Sequence, residues 1–267
     1  MPQRASFALS AYVVFACFGL LTPVVIVCIL SFGGEGYLHF PPVSYSLKWF
    51  VTFFGDTRWR QSLLSSTLIA LIACVIATTI GFLAAYALVR SEMRAKKFVL
   101  SLMLLPIIVP TVITAIAMYF LTAKIGLVGN MLWIGFCHAV VALPIVLLIL
   151  LAALQGVDIN LERAALSLGA GRMRVFFKVV VPIAFPGVMS AALFAFLTSF
   201  DELVISIFLA GARAQTLPVR IWNSLHLEIE PVVAAAATFL IGVTGIVLLV
   251  DGGIRRLRGG RAGKTST

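Results

Sequence analysis

Six stretches of this chain, at about 8–31, 62–89, 98–122, 128–154, 183–210 and 232–250, are almost free of charge, and each is long enough to cross a bilayer as a helix. Few folds satisfy that pattern. In hydrocarbon every backbone N–H and C=O needs a partner within the chain, so only helices and closed barrels span. Long runs without strict alternation are helices rather than strands. Composition agrees: 61% of the 267 residues are hydrophobic and 11% charged, where a soluble domain carries about a quarter charged residues. The expected fold is all-α and integral to the membrane, a single domain over residues 1–267 with six transmembrane helices.

The first run follows only Arg4, exceeds the apolar stretch of a usual signal peptide and shows no small-x-small cleavage site before a soluble domain, so it reads as an uncleaved first helix. Pro23, Pro106, Pro110, Pro144 and Pro186 lie inside the runs. Neighbouring helices can satisfy the carbonyls they free, so kinked but continuous spans are expected. Pro231 suits the first turn of the sixth span.

Net charge is +10. The basic residues sit in short loops, with no basic stripe and no stacking platform, which argues against nucleic acid and for orientation in the bilayer. With the N-terminus cytoplasmic, the inner side holds Arg4, Arg90, Arg94, Lys96, Lys97, Arg163, Arg172, Arg174, Lys178, Arg255, Arg256, Arg258, Arg261 and Lys264, 14 of the 20 Lys and Arg residues. The outer side keeps Lys48, Arg58, Arg60, Lys124, Arg213 and Arg220. This bias predicts N-in, C-in. The Gly-rich basic tail after Arg255 is expected to be partly disordered. Cys17, Cys28, Cys74 and Cys137 all fall in apolar runs without metal or redox spacing and read as packing residues. The loops are too short for a nucleotide-binding fold, and no Gly-x-x-x-x-Gly-Lys-Ser/Thr loop occurs. Energy must come from a partner or an ion gradient.

The largest inner loop, 155–181, carries the strongest local signals. Asp158 or Asn160 can cap a short helix, and Leu161, Ala164, Ala165 and Leu168 then share one face. Gly169 suits the residue past the helix end. A second short helix is expected from about Arg172 to Val181, with Pro182 opening the fifth span. A small-residue apolar stripe displayed in the cytoplasm fits a groove on another protein, or lies on lipid headgroups.

Glu162-Arg163-Ala164-Ala165, then Gly169, then Val179-x-Val181-Pro182, resembles the EAA loop of ABC importer permeases, whose pattern is Glu-Ala-Ala, three residues, Gly, nine residues, Ile-x-Leu-Pro. Gly169 and Pro182 match in type and spacing; Arg163 stands where the motif has its Glu, and Glu162 lies one residue earlier. The resemblance extends over most of the chain, through Gly81, Ala84, Ala85, Tyr86 and Arg90, then Leu105-Pro106 with Pro110, then His138 with Pro144. Ser199-Phe200-Asp201-Glu202, Leu209-Ala210-Gly211 and Thr216-Leu217-Pro218-Val219 are similar to the second permease of the spermidine/putrescine branch. The resemblance implies a type I ABC importer permease fold in a bacterial inner membrane. It also implies a related permease as partner, a dimer of ATPase subunits docked on Glu162 to Gly169 and Pro182, and a periplasmic binding protein. No cofactor is implied in this chain; ATP and Mg would be held by the ATPase.

Asp201 and Glu202 lie in the fifth run, where charge is costly. Roughly 19 residues after Pro182, at ~1.5 Å each, put them ~28 Å away, in the outer half or at the outer boundary. As neighbours in a helix they would diverge by ~100°. One of them, with Asp201 favoured, reads as a carboxylate that meets a cationic substrate; an ion pair with the partner permease or wetting at the interface is the plainer alternative. Thr198 and Ser199 could add hydroxyl acceptors, or serve helix packing. His138 reads as a hydrogen-bonding residue of the bundle rather than a proton carrier. Tyr86 and Asn130 read as interface anchors or caps, Trp49, Trp59, Trp133 and Trp222 as interfacial belt residues, and Glu228 and Glu230 as solvated surface.

The expected function is therefore half of the translocation pathway of an ATP-driven importer for a small cationic solute such as a polyamine, without an ATPase site of its own. Other solutes carried by similar permeases are opines, aminophosphonates, ferric iron and sulfate. A stand-alone secondary transporter is less well matched, since no internal repeat is evident and intramembrane charges are few. A membrane aspartyl protease would need converging carboxylates, which adjacent Asp201 and Glu202 do not supply.

Overall fold

A computed structural model describes residues 2–92, 94–227 and 230–262, with side chains for 9–92, 94–226 and 230–253. Glu228 and Lys264 lie outside the described residues, as do the side chains of Arg4, Arg255, Arg256, Arg258 and Arg261. Among the described residues the chain is helical almost throughout: α1 (Pro2–Leu30), α2 (Lys48–Gly55), α3 (Thr57–Arg90), α4 (Lys96–Ile108), α5 (Thr111–Lys124), α6 (Met131–Gln155), α7 (Ile159–Ser167), α8 (Arg172–Val175), a π-helical turn (Phe176–Val180), α9 (Val181–Phe200), α10 (Val204–Leu209), α11 (Leu217–Leu227) and α12 (Val232–Ala262). Five helices are long and apolar enough to span: Leu9–Leu30, Thr57–Arg90, Met131–Gln155, Arg172–Phe200 and Val232–Gly253.

The expected third span, 98–122, is a pair of helices, α4 and α5, that is long and apolar enough to span when taken together, as a sixth crossing, but is bent by 99° at Val109-Pro110. The cause is local. Pro110 has no N–H and disfavours helical backbone in the residue before it. Val109 accordingly turns extended (ψ 129°), and Pro110 begins α5 by offering its carbonyl to Ile113 and Thr114. Pro144 and Pro186 stay inside α6 and α9, as expected.

The expected fifth span, 183–210, is corrected at both ends. Its helix begins at Arg172, because α8, the π turn and α9 follow without a gap. The N–H of Val181 reaches the carbonyl of Phe176, five residues back, just before Pro182, which has no N–H to give. At the other end the helix stops at Phe200, and the short α10 follows only after Asp201–Leu203.

Packing divides the chain into two units. The first comprises Met1–Gln61 and Arg220–Gly245. No described side chain of α1 is buried, as expected of a helix surrounded by lipid or by other subunits. Phe53 is the aromatic centre of this unit, 5.7 Å from the Trp59 ring and 5.5 Å from Phe239. Trp59 is only 2% exposed, with the Arg220 guanidinium over its ring, so it is a core residue and not the interfacial belt residue expected. Asp56 caps α3 by accepting from the N–H groups of Arg58 and Trp59. Burial pushes its carboxyl upward, but those N–H groups and the Arg58 guanidinium outweigh it and hold Asp56 below its ordinary value. Glu230, expected as solvated surface, is half-buried and lines a cavity with Trp49, Thr52, Asp56, Arg58 and Trp59.

The second unit comprises Ser62–Val219 and Ile246–Thr267. Its larger core gathers Ala73, Ala77, Ala85, Ala139, Ala142, Val146, Leu150, Ala184, Ala191 and Ala195 from α3, α6 and α9. Small residues dominate because membrane helices gain by close backbone approach rather than by hiding apolar surface from water. The closest approach is at Gly187 of α9, where an added Cβ would overlap the Cβ of Ala153 on α6. Gly187→Ala is therefore expected to force the helices apart and cost about 1–3 kcal/mol. A lowered melting midpoint of the purified complex would show it. Gly171→Ala, where a Cβ meets nothing, should leave the midpoint unchanged. A second core joins Ile69, Ala115, Ile134, Cys137, Ile205 and Leu209. The Cys74 thiol donates to the Ala192 carbonyl, in keeping with a packing role, and all four cysteines are free.

Candidate functional site

The first cluster is the loop helix α7. Asp158 is its N-cap and accepts from the N–H of Asn160 at 2.9 Å. At the far end Gly169 has φ +84°, a conformation glycine adopts without strain. The N–H of Gly169 reaches Leu166 and that of Ala170 reaches Ala165, which closes the helix by a Schellman motif. Nine residues with both ends hydrogen-bonded thus form a definite helix despite being too short to be stable alone.

One face of α7 is seated. Glu162 is 7% exposed. Nε and Nη2 of Arg90, the last residue of α3, both lie 2.7 Å from its Oε1. Nη2 also donates to the Val157 carbonyl at 2.7 Å. Tyr86, one turn earlier on α3, reaches the other carboxylate oxygen at 3.4 Å and packs edge-on to Phe176 of the π turn. The charges suit the helix ends: Arg90 stands at the negative end of α3 and Glu162 in the first turn of α7. Arg90 was not foreseen as a site residue. From the sequence it signals orientation and the resemblance of the second span, not a partner for Glu162.

The other face is bare. Leu161 is 48% exposed and Leu168 89%. Ala164 and Arg163 are exposed and Ala165 is half-buried. The apolar stripe drawn from helical spacing is thus displayed, not folded back on the chain. Pro182 is in the first turn of α9. The second short helix expected in this loop is α8, running straight on into the fifth span.

The second cluster lies at the opposite end of α9. Asp201 and Glu202 were expected as neighbouring residues inside one helix, but they occupy the break between α9 and α10. Their roles differ. Glu202 is half-buried, and its Oε1 accepts from the N–H of Ile205 at 2.9 Å, capping α10. Asp201 is exposed, and its carboxylate has no hydrogen-bond or ion-pair partner among the described residues. Thr198 donates to the Phe194 carbonyl, so it is engaged in its own helix. Ser199 turns inward, 2.8 Å from Nδ1 of His138 on α6. The other ring nitrogen, Nε2, is 3.2 Å from Ser206 of α10. All three residues are at most 4% exposed. His138 is thus a hydrogen-bonding residue, as expected. Asn130 caps α6 by accepting from the N–H of Trp133.

Known proteins agree with these features. The family described as binding-protein-dependent transport system inner membrane component matches residues 77–259. The spermidine/putrescine transport system permease protein PotC of Haemophilus influenzae is 30% identical over 231 residues, covering 86% of this chain and 89% of that protein. The putrescine transport system permease protein PotI of Escherichia coli is 29% identical over 235 residues, covering 85% and 83%. A subunit in the crystal structure of a bacterial ABC transporter that imports the acidic polysaccharide alginate has the same fold, with a TM-score of 0.70 at 14% identity over 94% of this chain and 96% of that one. Agreement of this breadth makes the chain a member of the binding-protein-dependent transport inner-membrane family, the permeases of ABC importers, and so a multi-pass protein of the bacterial inner membrane.

Proposed function

We propose that the chain is a single permease domain that forms half of the pathway of an ATP-driven importer for a small cationic solute, a polyamine such as spermidine or putrescine. The observation that carries the mechanism is α7, a helix capped at both ends and seated on Arg90, with an apolar stripe left bare between two spans. A stripe of that kind fits a cleft in a partner. The cytoplasmic partner is a dimer of ATPase subunits, which hold ATP and Mg; this chain contributes no nucleotide site. A related permease supplies the other half of the pathway, and a periplasmic binding protein delivers the solute. N-in, C-in orientation puts α7 on the ATPase side and Asp201 on the delivery side.

Support for a cationic solute comes from the two relatives named for polyamines and from Asp201. An exposed carboxylate with no partner among the described residues can replace part of the water around an ammonium group, while a single contact remains weak enough to release it. Glu202 is committed to the backbone and is the lesser candidate. Asp201→Asn is expected to lower spermidine uptake by the assembled transporter about tenfold at sub-saturating concentration, the worth of one charge-assisted contact. ATPase docking should be unchanged. Wild-type uptake by that variant would end the substrate role of Asp201. Uptake of sulfate or a ferric complex in place of polyamine would end the assignment of solute.

A further inference from the structure

The break that carries Asp201 is held from within the bundle. His138 projects from α6 and is 1% exposed. Its Nδ1 meets Ser199, two residues before Asp201, and its Nε2 meets Ser206, beyond the break and inside α10. Both ring nitrogens are therefore used, one on each side of the gap. A neutral imidazole has one donor and one acceptor, and a hydroxyl can serve either, so the trio is satisfied in either tautomer. Two further bonds define the same turn. Glu202 holds the N–H of Ile205, and the carbonyl of Leu209, the last residue of α10, accepts from Gly129 at 2.9 Å. In a buried polar trio the loss of one member strands the others, so its geometry is strongly enforced.

We propose that His138 is a positioning residue for the pathway carboxylate: its two nitrogens tie the end of α9 to the start of α10 and so set the direction in which Asp201 faces. This rests on the reading of Asp201 given above. The imidazole touches no solute; it acts through the shape of the three-residue turn.

The test uses the intact transporter, with both permeases, the ATPase and the binding protein, in proteoliposomes with radiolabelled spermidine. His138→Leu keeps an apolar side chain and removes both links. It is expected to cut uptake at sub-saturating spermidine about tenfold, with the complex still assembled. His138→Asn retains reach toward Ser199 and His138→Gln toward Ser206, and each should lose less, about threefold. Ser199→Ala with Ser206→Ala removes the same links at little cost in volume, and carries the test should the His138 variants assemble poorly. The discriminating measurement is the combination of His138→Leu with Asp201→Asn. Where His138 works through Asp201, the combined variant is no slower than Asp201→Asn alone, within about twofold, whereas independent structural damage would multiply. Wild-type uptake by His138→Leu, or multiplied losses in the combination, overturns the positioning role and leaves Asp201 in place. Wild-type uptake by Asp201→Asn beside a slow His138→Leu overturns the reading of Asp201, and the positioning role falls with it.

Discussion

Arg90→Ala is expected to unseat the inner loop and abolish uptake. The guanidinium is the counter-ion of Glu162 and the donor to the Val157 carbonyl, and the two charged side chains are only 14% and 10% exposed. Removing it strands a carboxylate at the foot of the bundle. Losing one partner of a buried pair costs about 3–5 kcal/mol, far more than an intact surface pair contributes. Both helix ends add to the loss, since Arg90 closes α3 and Glu162 opens α7. The melting midpoint of the complex should fall, and residues 155–171 should become open to protease. Charge accounts for the effect, not bulk, so Arg90→Met with Glu162→Leu should be more stable than Arg90→Ala alone. A single variant as stable as wild type would mean that the ion pair does not hold the loop.

Leu168→Glu is expected to act in the opposite way, leaving the chain intact and destroying the assembly. Leu168 is 89% exposed at the end of α7, so a carboxylate there displaces nothing within the chain. In a docked interface it would be a charge in the middle of an apolar contact. Central anchors of that kind are worth about 2 kcal/mol or more, and a stranded charge costs further. The variant should insert and melt as wild type, fail to retain the ATPase on purification and show background uptake. Ser167→Glu, one residue back and about 100° round the helix, should retain both. ATPase retention by Leu168→Glu would show that the stripe meets something else, such as lipid headgroups.

Much of this architecture is legible in the sequence. Hydrocarbon imposes composition on whatever crosses it, so the apolar runs declare themselves. The loop helix was legible because its punctuation is local: Asp158 and Gly169 act on residues within a few positions of themselves. Proline was ambiguous for the same reason. Pro110 ends a helix whereas Pro144 and Pro186 continue theirs, and residue type alone does not tell them apart. The polar clusters were the least legible. Arg90 and Glu162 are 72 residues apart, and His138 and Ser199 are 61 apart; no spacing rule links them until α3, α6 and α9 are side by side. Asp201 and Glu202 stood out as charges, but their division into a free carboxylate and a cap depends on the break between α9 and α10.

The π turn at the start of the fifth span has a consequence for how its two ends are geared. The buried positions of this helix that join the larger core are Val180, Ala184, Ala191 and Ala195, and Val175 is buried below them. From Val180 onward the intervals are four and seven, as a single stripe on an α-helix requires. The first interval is five, which an α-helix would throw out of phase by about 100°. The wider turn of Phe176–Val180 absorbs the extra residue, and Val175 is buried despite the longer interval. Those five residues therefore fix the angular setting between the loop that displays Leu168 and the shaft that ends at Asp201.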